Sequence, residues 1–345
     1  MSQIRRGRLL RLARIGTRAL RIRFGSGERA RPAGPLLCTL ATTYRCPLNC
    51  EMCGLPERAG REIPDSELPA WVDAIGRLKP AGLGITGGEP LLRRSLEATL
   101  SRALGHGMVT HLNTSGTGLT GSRAASLLDT GLHSINVSID HDQPGTNDLL
   151  RGRAGAHQNA LKAVAILAEA RDRTRHRVRI QIMTAVTLDS IDRVPAMERL
   201  ARSAGADALS LLPVHEIPAR SPTAPWPAGQ ETPAALRGAF VENSREYLEG
   251  IVPFLNGAAT PGACSAPRSA LFIDPTGRLF PCTPAASEGN DSSLGLPGTP
   301  DTLERIFRSG ELIRTVPAGR CERCWWNCHR ELDVALGIPP NGHTR

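Results

Sequence analysis

Three cysteines stand close together as Cys46-x3-Cys50-x2-Cys53 within TTYRCPLNCEMCG. Three thiolates on one short loop can hold three irons of a cubic 4Fe–4S cluster. A cubane held only by cysteine needs a fourth thiolate, so a three-legged site leaves one iron open. An open iron can bind a substrate as well as pass electrons. The competing reading is a zinc knuckle or a set of buried thiols. Zinc sites, however, pair cysteines two to four residues apart and complete them with a second pair. The triple alone favours the cluster.

Further along, Gly82–Thr86 reads as a short buried strand that runs directly into Gly87, Gly88, Glu89 and Pro90. Two glycines let the backbone approach a ligand closely, and Glu89 supplies an anionic acceptor at the strand's C-terminal end. The cysteine triple followed by this GGEP loop resembles the radical S-adenosylmethionine (SAM) superfamily. The resemblance implies that Cys46, Cys50 and Cys53 hold the cluster and that its open iron chelates the amino and carboxylate groups of SAM. It also implies that the Gly87–Pro90 loop holds the methionine ammonium. One departure stands out. The family usually places an aromatic residue before the third cysteine, whereas this chain has Met52, a soft thioether able to fill the same volume.

The elements that must carry these loops alternate along the chain. Apolar runs at Leu36–Leu40, Gly82–Thr86, Met108–Leu112, Ser134–Ile139, Val178–Val186 and Ala208–Leu212 read as strands. Helical stretches lie between them at Ser66–Leu78, Arg94–Leu104, Ser122–Leu128, His157–Arg171 and Val194–Ala204. Six such βα repeats imply an α/β fold with parallel strands and right-handed crossovers. Pattern alone permits a doubly wound sheet or a barrel. The resemblance selects a partial (βα)6 radical SAM barrel, followed by a small cysteine-rich C-terminal domain with a β-hairpin. Both loops then fall at strand C-terminal ends, where barrels gather their chemistry.

Other strand ends become candidates by the same logic. Asn113 begins a turn resembling the family's TNG-type turn, and Ser138 and Asp140 match an S-x-D that contacts SAM or substrate. Arg151 lies where members place a basic residue toward the SAM carboxylate, and Met183 and Thr184 face the ribose and adenine region. Ordinary turn chemistry explains each of these residues as well. Residues Pro213–Pro233 read as a loop or linker, with His215 and Glu216 either within reach of substrate or at solvated loop positions, and a helix is expected over Ala234–Leu248.

Length and charge bound the remainder. At 345 residues the chain suits one large domain and a satellite. The expected division is a basic extension over 1–34, a core domain over 35–250 and an auxiliary domain over 251–345. Nine cysteines with no signal peptide argue for a reducing cytoplasm, where clustered thiols mean metal or catalysis. Residues 1–34 carry ten arginines against the single acid Glu28, which accounts for the whole net charge of +9. The body is therefore neutral and not suited to gripping nucleic acid. Arg11, Arg14, Arg18 and Arg21 fall at helical spacing, with Leu9, Leu12, Ala13 and Leu20 on another face. That pattern permits an amphipathic helix on an anionic membrane surface, or a merely solvated extension.

Five cysteines remain: Cys264, Cys282, Cys321, Cys324 and Cys328. Ala270–Ile273 and Arg278–Phe280 read as a hairpin around Asp274–Gly277, which brings Cys264 and Cys282 together. Cys321 and Cys324 can close the site as a second pair. Four such cysteines suit tetrahedral zinc or an auxiliary 4Fe–4S cluster. They resemble the family's twitch and SPASM extensions, and five cysteines allow one auxiliary cluster only. Cys328 is then a spare thiol, able to replace Cys324 as a ligand, remain buried or donate a hydrogen atom in catalysis. Trp325 and Trp326 read as core packing, as a shield for the cluster or as pocket lining, and Cys38 reads as an inert buried thiol.

The resemblance implies reductive cleavage of SAM to a 5′-deoxyadenosyl radical, with electrons from a flavodoxin- or ferredoxin-type donor. Hydrogen abstraction from the substrate then leads to oxidation or epimerisation. A 34-residue tail is too short for a peptide-recognition domain, so the expected substrate is a small metabolite or sugar. The alternatives are maturation of a ribosomal peptide and a zinc-binding interaction protein.

Overall fold

The structure, a computed structural model, describes residues 15–23, 34–53, 60–174, 177–215, 233–258, 264–287, 295–316 and 324–338. A helix over residues 15–23 (α1) precedes strand β1 (Leu37–Ala41). Parallel strands β2 (Gly82–Thr86), β3 (Val109–Thr114), β4 (Ser134–Ser138), β5 (Arg179–Val186) and β6 (Ala208–Pro213) follow. Between them run helices α2 (Leu68–Leu78), α3 (Leu96–Gly105), α4 (Gly121–Asp129), α5 (Pro144–Leu150), α6 (Ala156–Thr174) and α7 (Val194–Ser203). The C-terminal part contains α8 (Arg245–Leu255), α9 (Ala266–Ser269), β7 (Ala270–Ile273), β8 (Arg278–Phe280) and α10 (Thr283–Ser287). It continues with β9 (Leu296–Pro297), α11 (Leu303–Ser309), α12 (Glu311–Arg314) and α13 (Asn327–Ala335).

Strands β1 to β6 lie in sequence order and pair in parallel, which is the expected partial (βα)6 barrel. Strand side chains alternate between two faces. Leu40, Ile85, Leu112, Ile135, Val137, Ile180, Ile182, Leu209 and Leu211 are fully buried and belong to one core cluster with the helices' apolar stripes. The opposite face is polar. In register across β3, β4 and β5 stand Asn113, Asn136 and Gln181, with His111 and Ser134 one layer below. His111 shares hydrogen bonds with Ser134 Oγ at 2.7 Å and Asn113 Oδ1 at 3.0 Å. The barrel thus has a greasy exterior under its helices and a polar lumen.

The hairpin forms as expected, β7 antiparallel to β8, around Gly277 at φ +85°. Asp274 Oδ1 accepts from Thr276 N and Arg278 N, both at 2.9 Å, which sets the turn. Beyond that expectation, β7 also pairs in parallel with β1, so β7, β8 and β9 extend the barrel sheet to nine strands. The helix expected over Ala234–Leu248 is instead two pieces, a 3₁₀ turn over Ala234–Arg237 and α8. Gly238 interrupts the pattern, and the Ser244 hydroxyl accepts from Tyr247 N at 3.3 Å to start a new helix.

The basic extension also departs from expectation where it is described. Arg18 turns inward and Leu20 outward, the reverse of the amphipathic assignment. Arg18 donates to Leu78 O at 3.0 Å, Lys79 O at 2.6 Å and Pro35 O at 3.3 Å. These include the orphan carbonyls at the C-terminus of α2, where the helix dipole favours a cation. Residues 1–14, including Arg11 and Arg14, lie outside the described part. Among the described residues no helix is long and apolar enough to cross a membrane.

Candidate functional site

Cys46, Cys50 and Cys53 lie on the loop after β1, all half-buried. Burial pushes the Cys46 thiol up to about 11, and burial raises Cys50 as well, against the pull of Arg151. Thiolates in this setting need a cationic partner, which iron supplies. Among the described residues no three His, Cys, Asp or Glu side chains converge on a point suited to a single metal ion. Each iron of a cubane takes its own thiolate, so a cluster held by this loop would draw one thiolate from each of the three cysteines.

The loop is seated on the GGEP turn by backbone contacts. Gly88 N donates to Thr43 O at 2.6 Å and Glu89 N to Arg45 O at 2.9 Å. A β-carbon at Gly88 would come within 2.3 Å of Arg45 O, and one at Gly87, at φ +139°, within 2.6 Å of Thr43 O. The glycines were expected to let the backbone approach a ligand. Here they let it approach the cysteine loop. Pro90 opens the 3₁₀ turn Pro90–Leu92.

Glu89 is fully buried, and its carboxylate is surrounded by donors of this chain. Oε1 accepts from Leu91 N at 3.0 Å and Thr114 Oγ1 at 2.7 Å, while Oε2 accepts from Ser115 N at 2.7 Å and from the Ser115 hydroxyl. A carboxylate has about four acceptor sites, and four donors fill them. Glu89 therefore locks the turn after β2 to the turn after β3. Asn113 lies one residue too deep to join them and bonds to His111 and Asn136 in the lumen instead.

Asp140 and Arg151 form a pair that the sequence did not reveal. Arg151 Nη2 stands 2.7 Å from Asp140 Oδ1, and its Nη1 lies 3.8 Å from Cys50 Sγ. Backbone bonds from Asn49 N to Arg151 O at 3.2 Å and from Glu51 N to Leu150 O at 3.0 Å hold the cysteine loop against the end of α5. Asn147 Oδ1 accepts from Asp140 N at 2.9 Å, and the Glu62 carboxylate receives Tyr44 N at 2.7 Å and Thr43 Oγ1 at 2.9 Å. Neither Asn147 nor Glu62 carries a motif that could have marked it. Asp140 Oδ2 is buried without a hydrogen-bond partner among the described residues. The residue lines a cavity of about 320 Å³ together with Met52, Leu150, Ala185, Thr187 and Ser190, among others. Met52, the residue that stands where the resemblance expects an aromatic, lines this cavity. Ser138, half-buried, ends β4 in register with Met183. Thr184, expected near the ribose, turns away and donates to Ile139 O at 2.7 Å.

Of the second cysteine set, Cys264 precedes α9, Cys282 follows β8, and Cys324 and Cys328 flank the start of α13, all half-buried. Cys321 lies outside the described residues. Burial, and then the nearby Cys324, push the Cys328 thiol up to about 12, and its Sγ lies 3.8 Å from His329 Nδ1. Tyr44, two residues before Cys46, donates its hydroxyl to Asp274 Oδ2 at 2.8 Å, so hairpin and first cysteine loop are joined directly. Trp325 stacks on Tyr247 at 5.9 Å and donates Nε1 to Tyr247 O at 2.9 Å. His215, expected to reach substrate, has both nitrogens engaged. It bonds to Pro213 O at 2.9 Å and accepts from Trp325 N at 3.0 Å. Glu216 lies outside the described residues.

Residues 40–195 match the Radical SAM superfamily. Over 260 residues the chain is 27% identical to the PqqA peptide cyclase of Rhizobium meliloti, covering 72% of this chain and 67% of that one. It is 28% identical over 252 residues to the PqqA peptide cyclase of Granulibacter bethesdensis, covering 70% and 65%. The chain thus spans about two thirds of the length of these curated relatives. Its fold resembles that of Streptococcus suis SuiB bound to the precursor peptide SuiA. There the TM-score is 0.62 at 14% identity, covering 92% of this chain and 77% of SuiB. The matched stretch begins in β1 and takes in the cysteine loop, the Glu89 turn and most of the cavity lining at the strand ends. Over residues 40–195 the chain is thus similar to the radical SAM superfamily.

Proposed function

We propose that this chain is a radical SAM enzyme that acts on a peptide. The carrying observation is the meeting of the Cys46–Cys53 loop, the Gly87–Pro90 turn and the cavity beside Met52 and Asp140 at one end of the barrel. When bound, a 4Fe–4S cluster with an open iron supplies the electron that cleaves SAM. In this reading Cys46, Cys50 and Cys53 hold that cluster, and Cys264, Cys282, Cys321 and Cys324 hold one auxiliary cluster. Arg151 fixes Cys50 relative to Asp140, so the cysteine loop and the cavity wall form one unit. Met52 and the Ala185–Ser190 wall bound the space for the nucleoside, and the unpartnered Asp140 Oδ2 offers it an acceptor. Glu89, through the donors on its carboxylate, holds the turns on which a ligand would rest.

A peptide fits better than the small metabolite expected from the sequence, because the relatives named above are peptide cyclases and the SuiB fold is seen with a precursor peptide. The test is anaerobic reconstitution with dithionite, SAM and candidate peptides deuterated on side-chain carbons. Deuterium appearing in 5′-deoxyadenosine, with a matching mass change in the peptide, supports the reading. Turnover with deuterated sugars or small metabolites, and none with any peptide, would overturn it.

A further inference from the structure

One turn of α13 touches every described segment that carries a C-terminal cysteine. Asp333, almost fully buried, accepts from Ser265 N at 3.1 Å and from the Ser265 hydroxyl, and Ser265 directly follows Cys264. His329, equally buried, accepts through Nε2 from Thr283 N at 3.3 Å, and Thr283 directly follows Cys282. Arg330 Nε donates to the Cys324 carbonyl at 3.1 Å, while its Nη1 lies 3.4 Å from Asp333 Oδ2. Positions 329, 330 and 333 share one side of a helix, since residues three and four apart are neighbours.

Other side chains of the same helix brace it on the barrel. Asn327 Nδ2 donates to Ser210 Oγ at 3.1 Å and Leu211 O at 3.2 Å, on edge strand β6. Glu331 Oε1 accepts from Asn243 Nδ2 at 3.2 Å and Ser244 N at 3.0 Å. Helix α13 therefore connects the β6 edge of the sheet to the hairpin on its far side.

Burying a histidine, an arginine and an aspartate on one turn carries a desolvation cost that an apolar helix face would avoid. What the three secure is geometry. A rigid cluster accepts thiolates only at set positions, and groups beyond the ligands commonly fix those positions. We propose that His329, Arg330 and Asp333 are the positioning residues of the auxiliary cluster, holding the backbones beside Cys264, Cys282 and Cys324 in place for it. This rests on the reading that those cysteines hold a cluster.

The test uses the full chain with Cys46, Cys50 and Cys53 all changed to alanine, so that only C-terminal iron is counted. That parent should take up about four irons per chain on anaerobic reconstitution and give one reduced-cluster resonance signal. Asp333→Ala and His329→Leu should each weaken iron retention against a chelator by roughly tenfold or more and alter the signal. Asp333→Asn keeps the acceptor for Ser265 and should retain most of the iron. Parent-like retention and spectrum in Asp333→Ala and His329→Leu would overturn the proposal. If Asp333→Ala does not fold, His329→Leu decides alone, with circular dichroism matched to the parent. A folded parent that binds no iron would sink the auxiliary-cluster reading itself, and this proposal with it.

Discussion

Gly88→Ala is the sharpest perturbation of the join between the cysteine loop and the Glu89 turn. The added β-carbon would stand 2.3 Å from Arg45 O, 2.5 Å from Tyr44 O and 2.7 Å from Arg45 C, all backbone atoms. Ordinary contact needs about 1 Å more, and no side-chain rotation can supply it. The two backbones must separate, which breaks or stretches the bonds from Gly88 N to Thr43 O and from Glu89 N to Arg45 O. Each contributes about 1 kcal/mol, and a donor left buried without a partner adds a similar penalty, so the expected loss is about 2–4 kcal/mol. A displacement of about 1 Å between cysteine loop and cavity should also slow SAM cleavage by up to about 100-fold. Urea unfolding of the metal-free chain measures the first effect, and 5′-deoxyadenosine formation by the reconstituted chain measures the second. Gly84→Ala is the control, because its β-carbon would meet nothing nearer than Thr39 Oγ1 at 3.8 Å. If Gly88→Ala matches Gly84→Ala in both assays, the two loops are not joined as described.

Removing Arg151 as Arg151→Met leaves the Asp140 carboxylate buried and uncompensated, which should destabilise by about 3–5 kcal/mol on denaturant titration. It should also loosen iron at the first cysteine loop, because the guanidinium near Cys50 is lost. Burial pulls His215 down to about 4, below the ordinary value of about 6.5, so the unfolded chain takes up that proton first. Its stabilising contribution is complete above pH 6.5 and is lost as pH falls toward 4, by about 3 kcal/mol in all. Metal-free unfolding across that window should therefore be steeper in the parent than in His215→Phe, and equal slopes would contradict the burial argument. Trp325→Ala should cost about 3–5 kcal/mol in the same measurement, because the indole fills the space over Gly250 and stacks on Tyr247.

Much of the barrel was legible because its signals are local. The strand at Gly82–Thr86, the helix ending near Leu78 and the hairpin around Asp274–Gly277 each depend on periodicity or on turn residues within a few positions. The chemistry of Cys46, Cys50, Cys53 and Glu89 was legible for the same reason. Partnerships were not. Nothing near Glu89 announces that Thr114 and Ser115 will fill its oxygens, and nothing near Arg18 announces the end of α2, which lies about sixty residues away. His215 read as a loop residue near substrate, yet the fold draws it into a buried contact with Trp325.

By itself, then, the sequence determined which atoms are available for chemistry and which short elements carry them. Residue type and close spacing fix thiolates on a loop, a carboxylate at a strand end and glycines where no β-carbon fits. Only the tertiary structure decided what those atoms face. Hydrogen bonds and ion pairs between residues far apart in the chain form once parallel strands stack and α13 links β6 to the hairpin. Such pairings depend on three-dimensional register rather than on local propensity. That is why Arg151 lies beside Cys50, Tyr44 on Asp274, and Asp333 beside the Cys264 segment.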